Sequence, residues 1–263
     1  MYKARQSIPT PVGALRLEYA ETSLIGGRQD NQDRCALVVT PRSALLVVVD
    51  GMGGHAAGAL AAATACDSLV GAFWKAPRPL FDPLGFLHRQ LGEAHDAVTR
   101  LGEAMPLEQR PRATIAACVV QGDSAYWSHV GDSRIYHIRR RAILERTRDH
   151  SHVEFLIREG VISADQALTH PMRNYVECCL GGEQVLPEMS QSGRRRLEPG
   201  DVLLLCSDGL WGPLDDAALA QAWSQSGEPL DLALAALAER AIEAAGPLAD
   251  NTTGVVLRWS GRD

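Results

Sequence analysis

The sequence has no excess of positive charge: 26 lysines and arginines stand against 32 aspartates and glutamates, for a net charge of −6. The cations are almost all arginine and scattered, with Arg139-Arg140-Arg141 and Arg194-Arg195-Arg196 as the only runs. That balance excludes a chain built to neutralise nucleic-acid phosphates, and the two runs read as solvated strand ends or loops. No C-x-x-C pair occurs among Cys35, Cys66, Cys118, Cys178, Cys179 and Cys206, which sit mostly in apolar contexts. They read as reduced core residues of a cytosolic protein, not a disulfide frame or a zinc site. No apolar stretch follows Met1-Tyr2-Lys3-Ala4-Arg5, and no run approaches the ~18 consecutive apolar residues of a membrane span. A soluble, cytoplasmic chain that enters no membrane is the expectation. Absent too are a Pro/Gly/Ser-rich linker and an internal repeat, so residues 1–263 are expected to form one domain.

The apolar residues, 46% of the chain, suffice for a sizeable core and are patterned for a mixed fold. Residues 1–14 carry two prolines and read as an arm. Residues 15–20 alternate as a half-buried strand does, and 35–40 and 44–49 form a hairpin around Pro41-Arg42-Ser43. Two helices are predicted at 55–76 and 84–104, the second with Leu84, Leu87, Leu91, Ala94 and Val98 at helical spacing. Strands at 114–120, 125–130 and 134–139 are separated by tight turns and imply an antiparallel sheet. Residues 150–182 are mixed and polar, with a helical piece at 153–159, and read as a flap over the sheet. A buried strand at 202–206, helices at 215–224 and 230–245, and a last strand at 253–259 complete the order. Two antiparallel sheets packed face to face as a sandwich, with a pair of antiparallel helices outside each, satisfy this α+β pattern in four layers.

The apolar run Leu45-Leu46-Val47-Val48-Val49 ends on Asp50, with Gly51, Gly53 and Gly54 close behind. Glycines there let the backbone turn sharply and leave room for an ion, a water or a phosphate. Asp208 follows an apolar strand in the same way, Asp132 lies in Gly131-Asp132-Ser133, Asp250 precedes the last strand, and Asp33 closes Asp30-Asn31-Gln32-Asp33. Taken singly, each is a turn former. Gathered at one end of a sheet they would repel one another unless cations sat among them, and hard oxygen ligands are what Mg2+ or Mn2+ takes. The alternatives lack their parts: residues 50–54 have no P-loop lysine, and 30–33 no EF-hand glycine.

Six segments in order, Arg28-x-x-Asn31-Gln32-Asp33, Asp50-Gly51-Met52-Gly53-Gly54-His55, Gly131-Asp132-Ser133-Arg134, Asp149-His150-Ser151, Ser207-Asp208-Gly209-Leu210-Trp211 and Asp250-Asn251, resemble the metal-dependent serine/threonine protein phosphatases of type 2C, the PPM family. Met52 is similar to the compact bacterial branch. The resemblance implies a single catalytic domain and the same β-sandwich between helix pairs. It implies two Mn2+ or Mg2+ ions, with Asp50 bridging them, the Gly51 carbonyl on one, Asp208 and Asp250 on the other, and Asp33 in an inner or outer shell. Asp132 would join Asp208 at a third, weaker site. The ions would make hydroxide available for in-line attack on phosphorus, with Arg28 holding the phosphate oxygens. Asp149, His150 and Ser151 would set the flap against substrate. Where the eukaryotic branch has a histidine proton donor this chain has Met52, and His55 could be recruited instead. Gln32 stands where the family often has glutamate.

The implied function is dephosphorylation of phosphoserine and phosphothreonine in proteins by a monomer that opposes a Ser/Thr kinase, with type VI secretion control as one setting. A non-catalytic phosphoprotein-binding module on the same fold is the alternative, and a hydrolase of small phosphate esters a third.

Overall fold

The computed structural model describes residues 15–52, 55–223 and 229–262. The expected arm at 1–14 lies outside them. The chain runs through β1 (Leu15–Leu24), β2 (Arg34–Val39), β3 (Ser43–Val49) and β4 (Gly51–Met52) into α1 (His55–Lys75) and α2 (Pro83–Leu101). It continues through β5 (Arg112–Ala113), β6 (Ile115–Gln121), β7 (Ser124–Val130), β8 (Arg134–Arg139) and β9 (Ala142–Arg146). Next come α3 (His152–Arg158), α4 (Ala164–Ala167), and the two-residue strands β10 (Leu180–Gly181), β11 (Ser190–Gln191) and β12 (Arg195–Arg196). The remainder is β13 (Val202–Cys206), α5 (Asp208–Trp211), α6 (Asp216–Gln221), α7 (Leu230–Ala245) and β14 (Thr252–Arg262).

One sheet has the order β1-β14-β13-β8-β9 and the other β11-β7-β6-β3-β2, with β12 also on β7 and every pairing antiparallel. Side-chain parity explains why the central strands read as unbroken apolar runs: each faces a core on both sides. In β3, Leu45, Val47 and Val49 face α1 and α2 while Ala44, Leu46 and Val48 enter the core between the sheets. In β13, Leu203 and Leu205 point to that same inter-sheet core, and Val202, Leu204 and Cys206 to the helices on the far side. The layers are therefore α1/α2, sheet, sheet, and α5–α7, as the α+β sandwich reading requires.

Local chemistry fixes the helices. Asp82 caps α2 by accepting from the Gly85 amide (2.9 Å), with Pro83 in the first turn where its missing N–H is not needed. Phe86, Leu87, Leu91, Ala94 and Val98 then form its buried face. Gly246, at φ 68°, ends α7 in a left-handed conformation that a β-carbon disfavours. In α1, Ala61, Ala62, Ala65, Leu69 and Phe73 are buried, the small residues letting the helix lie close to its sheet. By length and composition alone Ala57–Lys75 could cross a membrane, and its Ala61-to-Phe73 face packs into the core.

The flap is pinned at both ends. The His152 amide donates to Tyr175, the Glu177 amide to His150, and a bridge joins Ser151 to Val176. At its exit, β10 pairs with β5, which pairs with β4. The flap exit is thus hydrogen-bonded, through β5, to the Gly51–Met52 segment.

Candidate functional site

Strand register carries the acidic turns to one end of the sandwich. Arg34 pairs with Val49, so Asp33 and Asp50 are neighbours where β2 and β3 end. Ala116 pairs with Val48, and the Thr114 amide donates to the Asp50 carbonyl at 2.8 Å. Ile115 pairs with Val130, which sets Gly131-Asp132 beside Thr114. In the other sheet Cys206 pairs with both Arg134 and Gly254, so Asp208 emerges between the Asp132 turn and the Asp250-Asn251 approach to β14.

The turns enclose a cleft of about 500 Å³. Arg28, Asp50, Gly51, Asp132, Asp208 and Asp250 line it together with Gln32, Met52 and Asn251, and the flap contributes Asn174 and Val176. Asp33 is buried behind it, its Oδ2 accepting from the Ser207 hydroxyl at 2.7 Å. A β-carbon on Gly51 would lie 2.1 Å from the Gly58 carbonyl oxygen and 2.8 Å from that of Gln32, so this turn closes against α1 only with glycine.

Burial first, and then each other's charge, lifts the carboxylates' pKa values: Asp33 to about 7, Asp208 to about 6, Asp50 and Asp132 well above the ordinary carboxylate range. The described cation at the cleft is Arg28, whose Nη2 lies 2.6 Å from Asp250 Oδ2. Among the described residues Asp33 Oδ1 and Asp208 Oδ1 are buried with no hydrogen-bond partner. Orphaned carboxylate oxygens in a ring of mutual repulsion fit a bound cation: it would supply the missing partner and relieve the charge. Among the described residues no three Asp, Glu, His or Cys side chains close into a finished ligand cage. An open ring with few direct ligands suits Mg2+ and Mn2+, of which Mg2+ in particular keeps much of its water.

Residues behind the cleft hold it in shape. Asn251 Oδ1 accepts from the Gln32 amide (2.8 Å) while its Nδ2 donates to the carbonyls of Ile25 (2.9 Å) and Asp30 (3.0 Å). This ties the Arg28-containing loop to the start of β14. Arg134 makes a forked bond to Asp149 (2.8 and 2.7 Å) and lies 3.3 Å over the Trp211 ring, whose Nε1 donates to the Asp132 carbonyl at 3.0 Å. His150 stacks on His129, accepts from the Gly131 amide at Nδ1 (3.2 Å) and meets Ser190 Oγ at Nε2 (2.8 Å). Burial lowers both imidazole pKa values, His129 to about 4, in keeping with neutral rings. Ser151 caps α3.

Of the residues singled out in the sequence, Arg28, Asp50, Gly51, Asp132, Asp208 and Asp250 meet in one cleft and Asp33 stands directly behind. Asp149, His150 and Ser151 do not line it; they brace the Asp132 turn and the flap entrance. The His55 side chain lies outside the described residues. Asn251, Trp211, Asn174 and Val176 were given no role from the sequence; the Asp250-Asn251 and Asp208-to-Trp211 segments signalled the first two, and nothing signalled the flap pair.

A sandwich of this topology with an acid-ringed cleft at its end defines the protein phosphatase 2C class. The family model for protein phosphatase 2C matches residues 22–241, and the chain belongs to that family. It is 34% identical over 243 residues to the serine/threonine protein phosphatase PstP of Mycobacterium tuberculosis, covering 92% of this chain but only 45% of the relative's length. The crystal structure of a PstP catalytic domain in complex with two manganese ions is similar at a TM-score of 0.77 and 30% identity, covering 93% of this chain and 98% of that one. PppA, described as a key regulatory component of the type VI secretion system in Pseudomonas aeruginosa, is similar at 0.75 and 29%, covering 94% and 99%.

Proposed function

We propose that the chain is a cation-dependent phosphatase that hydrolyses phosphoserine and phosphothreonine in proteins. The observation that carries this reading is the pair of orphaned oxygens, on Asp33 and Asp208, within a carboxylate ring that Arg28 borders. In this proposal Asp50 and the Gly51 carbonyl, Asp208 and Asp250 hold two Mn2+ or Mg2+ ions, Asp33 supports them, and Asp132 with Asp208 offers a third, weaker place. When bound, the ions supply Lewis acidity and lower the pKa of water they coordinate.

The chain's own residues do the rest. Arg28 presents a planar fork to the phosphoryl oxygens, and its bond to Asp250 keeps that fork at the cleft until substrate takes its place. Asn251 holds the loop that carries it in register with Asp250. Burial lifts the thiols of Cys66 and Cys118 to about 12 and those of Cys35 and Cys206 well above the ordinary thiol range, which supports direct attack by water over a thiolate nucleophile. Met52, in the cleft wall, has no proton to give to the leaving serine or threonine oxygen. The flap residues Asn174 and Val176 stand where a polypeptide carrying the phosphate would pass.

A cytoplasmic monomer opposing a Ser/Thr kinase is the setting we propose, and the likeness to PppA supports a secretion apparatus as one such context. The test is phosphate release from a phosphothreonine peptide with Mn2+, with EDTA, and for Asp208→Asn with Mn2+. Turnover that needs the cation and falls at least a hundredfold in the variant is the expected result. Folded protein that binds several phosphopeptides and turns over none, with either cation, would establish a binding module instead.

A further inference from the structure

Two residues other than glycine have positive φ among the described residues, and they are adjacent: Arg140 at 51° and Arg141 at 65°. Arg139 pairs with Ala142, so these two arginines are the whole loop of the β8–β9 hairpin. A two-residue hairpin turn with both residues in the left-handed region is the kind for which Asn-Gly is preferred, because a β-carbon there crowds the following carbonyl. Among the described residues a single side-chain hydrogen bond is all that offsets this choice. Both side chains are exposed. Arg141 reaches only the Gln221 carbonyl (3.2 Å), and the Arg140 side chain makes no hydrogen bond or ion pair among the described residues.

The second arginine run arrives at the same edge of the sandwich. Arg139 Nη2 lies 3.4 Å from the Arg196 carbonyl, and Arg195 of β12 bonds Glu145 of β9. The described acids at this edge are already engaged: Asp201 and Glu198 with Arg139, Glu145 with Arg195, and Asp123 with Arg194 and Arg196. Among the described residues six arginines face four carboxylates here, and Arg140 and Arg141 are the two with no described acid. In a chain of net charge −6 this is a local reversal of sign.

Charged residues on an edge strand deter unwanted strand pairing, but that purpose requires no left-handed arginine. Backbone strain carried by residues of one charge, projecting into solvent, is a feature that a binding role explains and folding does not. We propose that the Arg140-Arg141 tip, with Arg196 beside it, is a docking point for an acidic stretch of the phosphoprotein substrate. The tip lies at the far end of β8 from the Asp132 turn, about 20 Å away at roughly 3.3 Å per residue. An extended substrate would span that distance in about six or seven residues. The substrate assignment rests on the phosphatase reading; the acidic chemistry of the partner does not.

The informative variant is Arg140→Asn with Arg141→Gly, which supplies the preferred turn and removes the charge together. Its Tm should rise. Two measurements then decide. Fluorescence anisotropy follows binding of an unphosphorylated peptide with four consecutive glutamates, against its glutamine counterpart, which needs no turnover. KM and kcat are compared for phosphothreonine peptides carrying the glutamates six to ten residues to either side. The wild type should favour the glutamate peptides by about three- to tenfold, the range of two exposed ion pairs, and 0.5 M NaCl should abolish the preference. The Asn-Gly variant should lose it through KM with kcat unchanged, while Arg140→Lys with Arg141→Lys should keep it. Equal wild-type binding of both peptides, or a preference that survives in the Asn-Gly variant, overturns the proposal. Absent turnover with intact acidic-peptide binding would count against the phosphatase reading alone.

Discussion

Replacing Arg134 by methionine tests whether the brace behind the cleft is a desolvated ion pair. Arg134 and Asp149 side chains are 13% and 8% exposed and bonded through both nitrogens of the fork, with the guanidinium face on Trp211. Arg134→Met leaves the Asp149 carboxylate buried without its cation, which costs about 3–5 kcal/mol. For a protein of this length each kcal/mol moves Tm by roughly 2–4 °C, so a fall of about 6–20 °C follows. The double variant Arg134→Met, Asp149→Leu removes both charges and should recover at least half of that loss, since an apolar pair of similar volume is tolerated where a lone charge is not. Urea unfolding of wild type, both single variants and the double gives the coupling directly, with unchanged m-values as the check on two-state behaviour. Arg134→Met within about 1 kcal/mol of wild type would place the pair among ordinary surface bridges and refute the reasoning. So would strict additivity of the two single changes. Cation affinity should fall in Arg134→Met as well, because Trp211 then loses the plane that aims its Nε1 at the Asp132 carbonyl.

Gly51→Ala should abolish turnover while leaving the far-UV circular dichroism spectrum intact, because its β-carbon meets two backbone carbonyls that only movement of the Asp50-Gly51 turn can relieve; wild-type kcat in this variant would contradict the contact. The pH dependence has a definite sign. Asp33, Asp50, Asp132 and Asp208 have pKa values raised on folding, so the folded state binds more protons, and their neutral forms stabilise it fully only below the unfolded value near 4. With EDTA, stability should therefore fall as pH rises from about 4 toward and beyond 7, and Mn2+ should raise Tm by an amount that grows over the same window. A Tm gain independent of pH would show that the cations do not bind these carboxylates.

The sequence made the layers legible where one physical pattern ruled. In α2 the 3.6-residue period is local, though the Asp82-Pro83 start two residues before the expected one was not read, and in β3 and β13 unbroken apolar runs mean a core on both faces. The two-residue strands β4, β5, β10, β11 and β12 were invisible because two residues carry no period. Strand β9 was missed for another reason: Ala142 and Leu144 are exposed and Glu145 and Arg146 are held by partners elsewhere, so its alternation is blurred. Helix α5 hides in Asp208-Gly209, which reads as a turn. Five acidic turns could be seen, but not that they meet. Their meeting depends on pairings such as Arg34 with Val49 and Cys206 with Gly254, which no local window contains, and it was anticipated only through the family resemblance. Asn251 shows the limit well, since its three partners lie more than 200 residues away in the chain.

The same register gives the molecule opposite chemistry at the two ends of one strand. Strand β8 leaves the acidic cleft at Arg134, whose charge is buried against Asp149, and reaches solvent at Arg140 and Arg141, whose charges no described acid neutralises. The phosphoprotein substrate we propose is an anion approaching a protein of net charge −6, and the carboxylate ring would oppose it until cations fill the cleft. Arg28, which we propose draws the phosphoryl group locally, is itself paired to Asp250. A cationic tip about 20 Å away, beyond two Debye lengths at physiological salt, acts without competing with the cations for the carboxylates. Substrate hold and cation hold are thereby separable, which is why neutralising the tip should raise KM for acidic substrates and leave the Mn2+ concentration for half-maximal rate where it was.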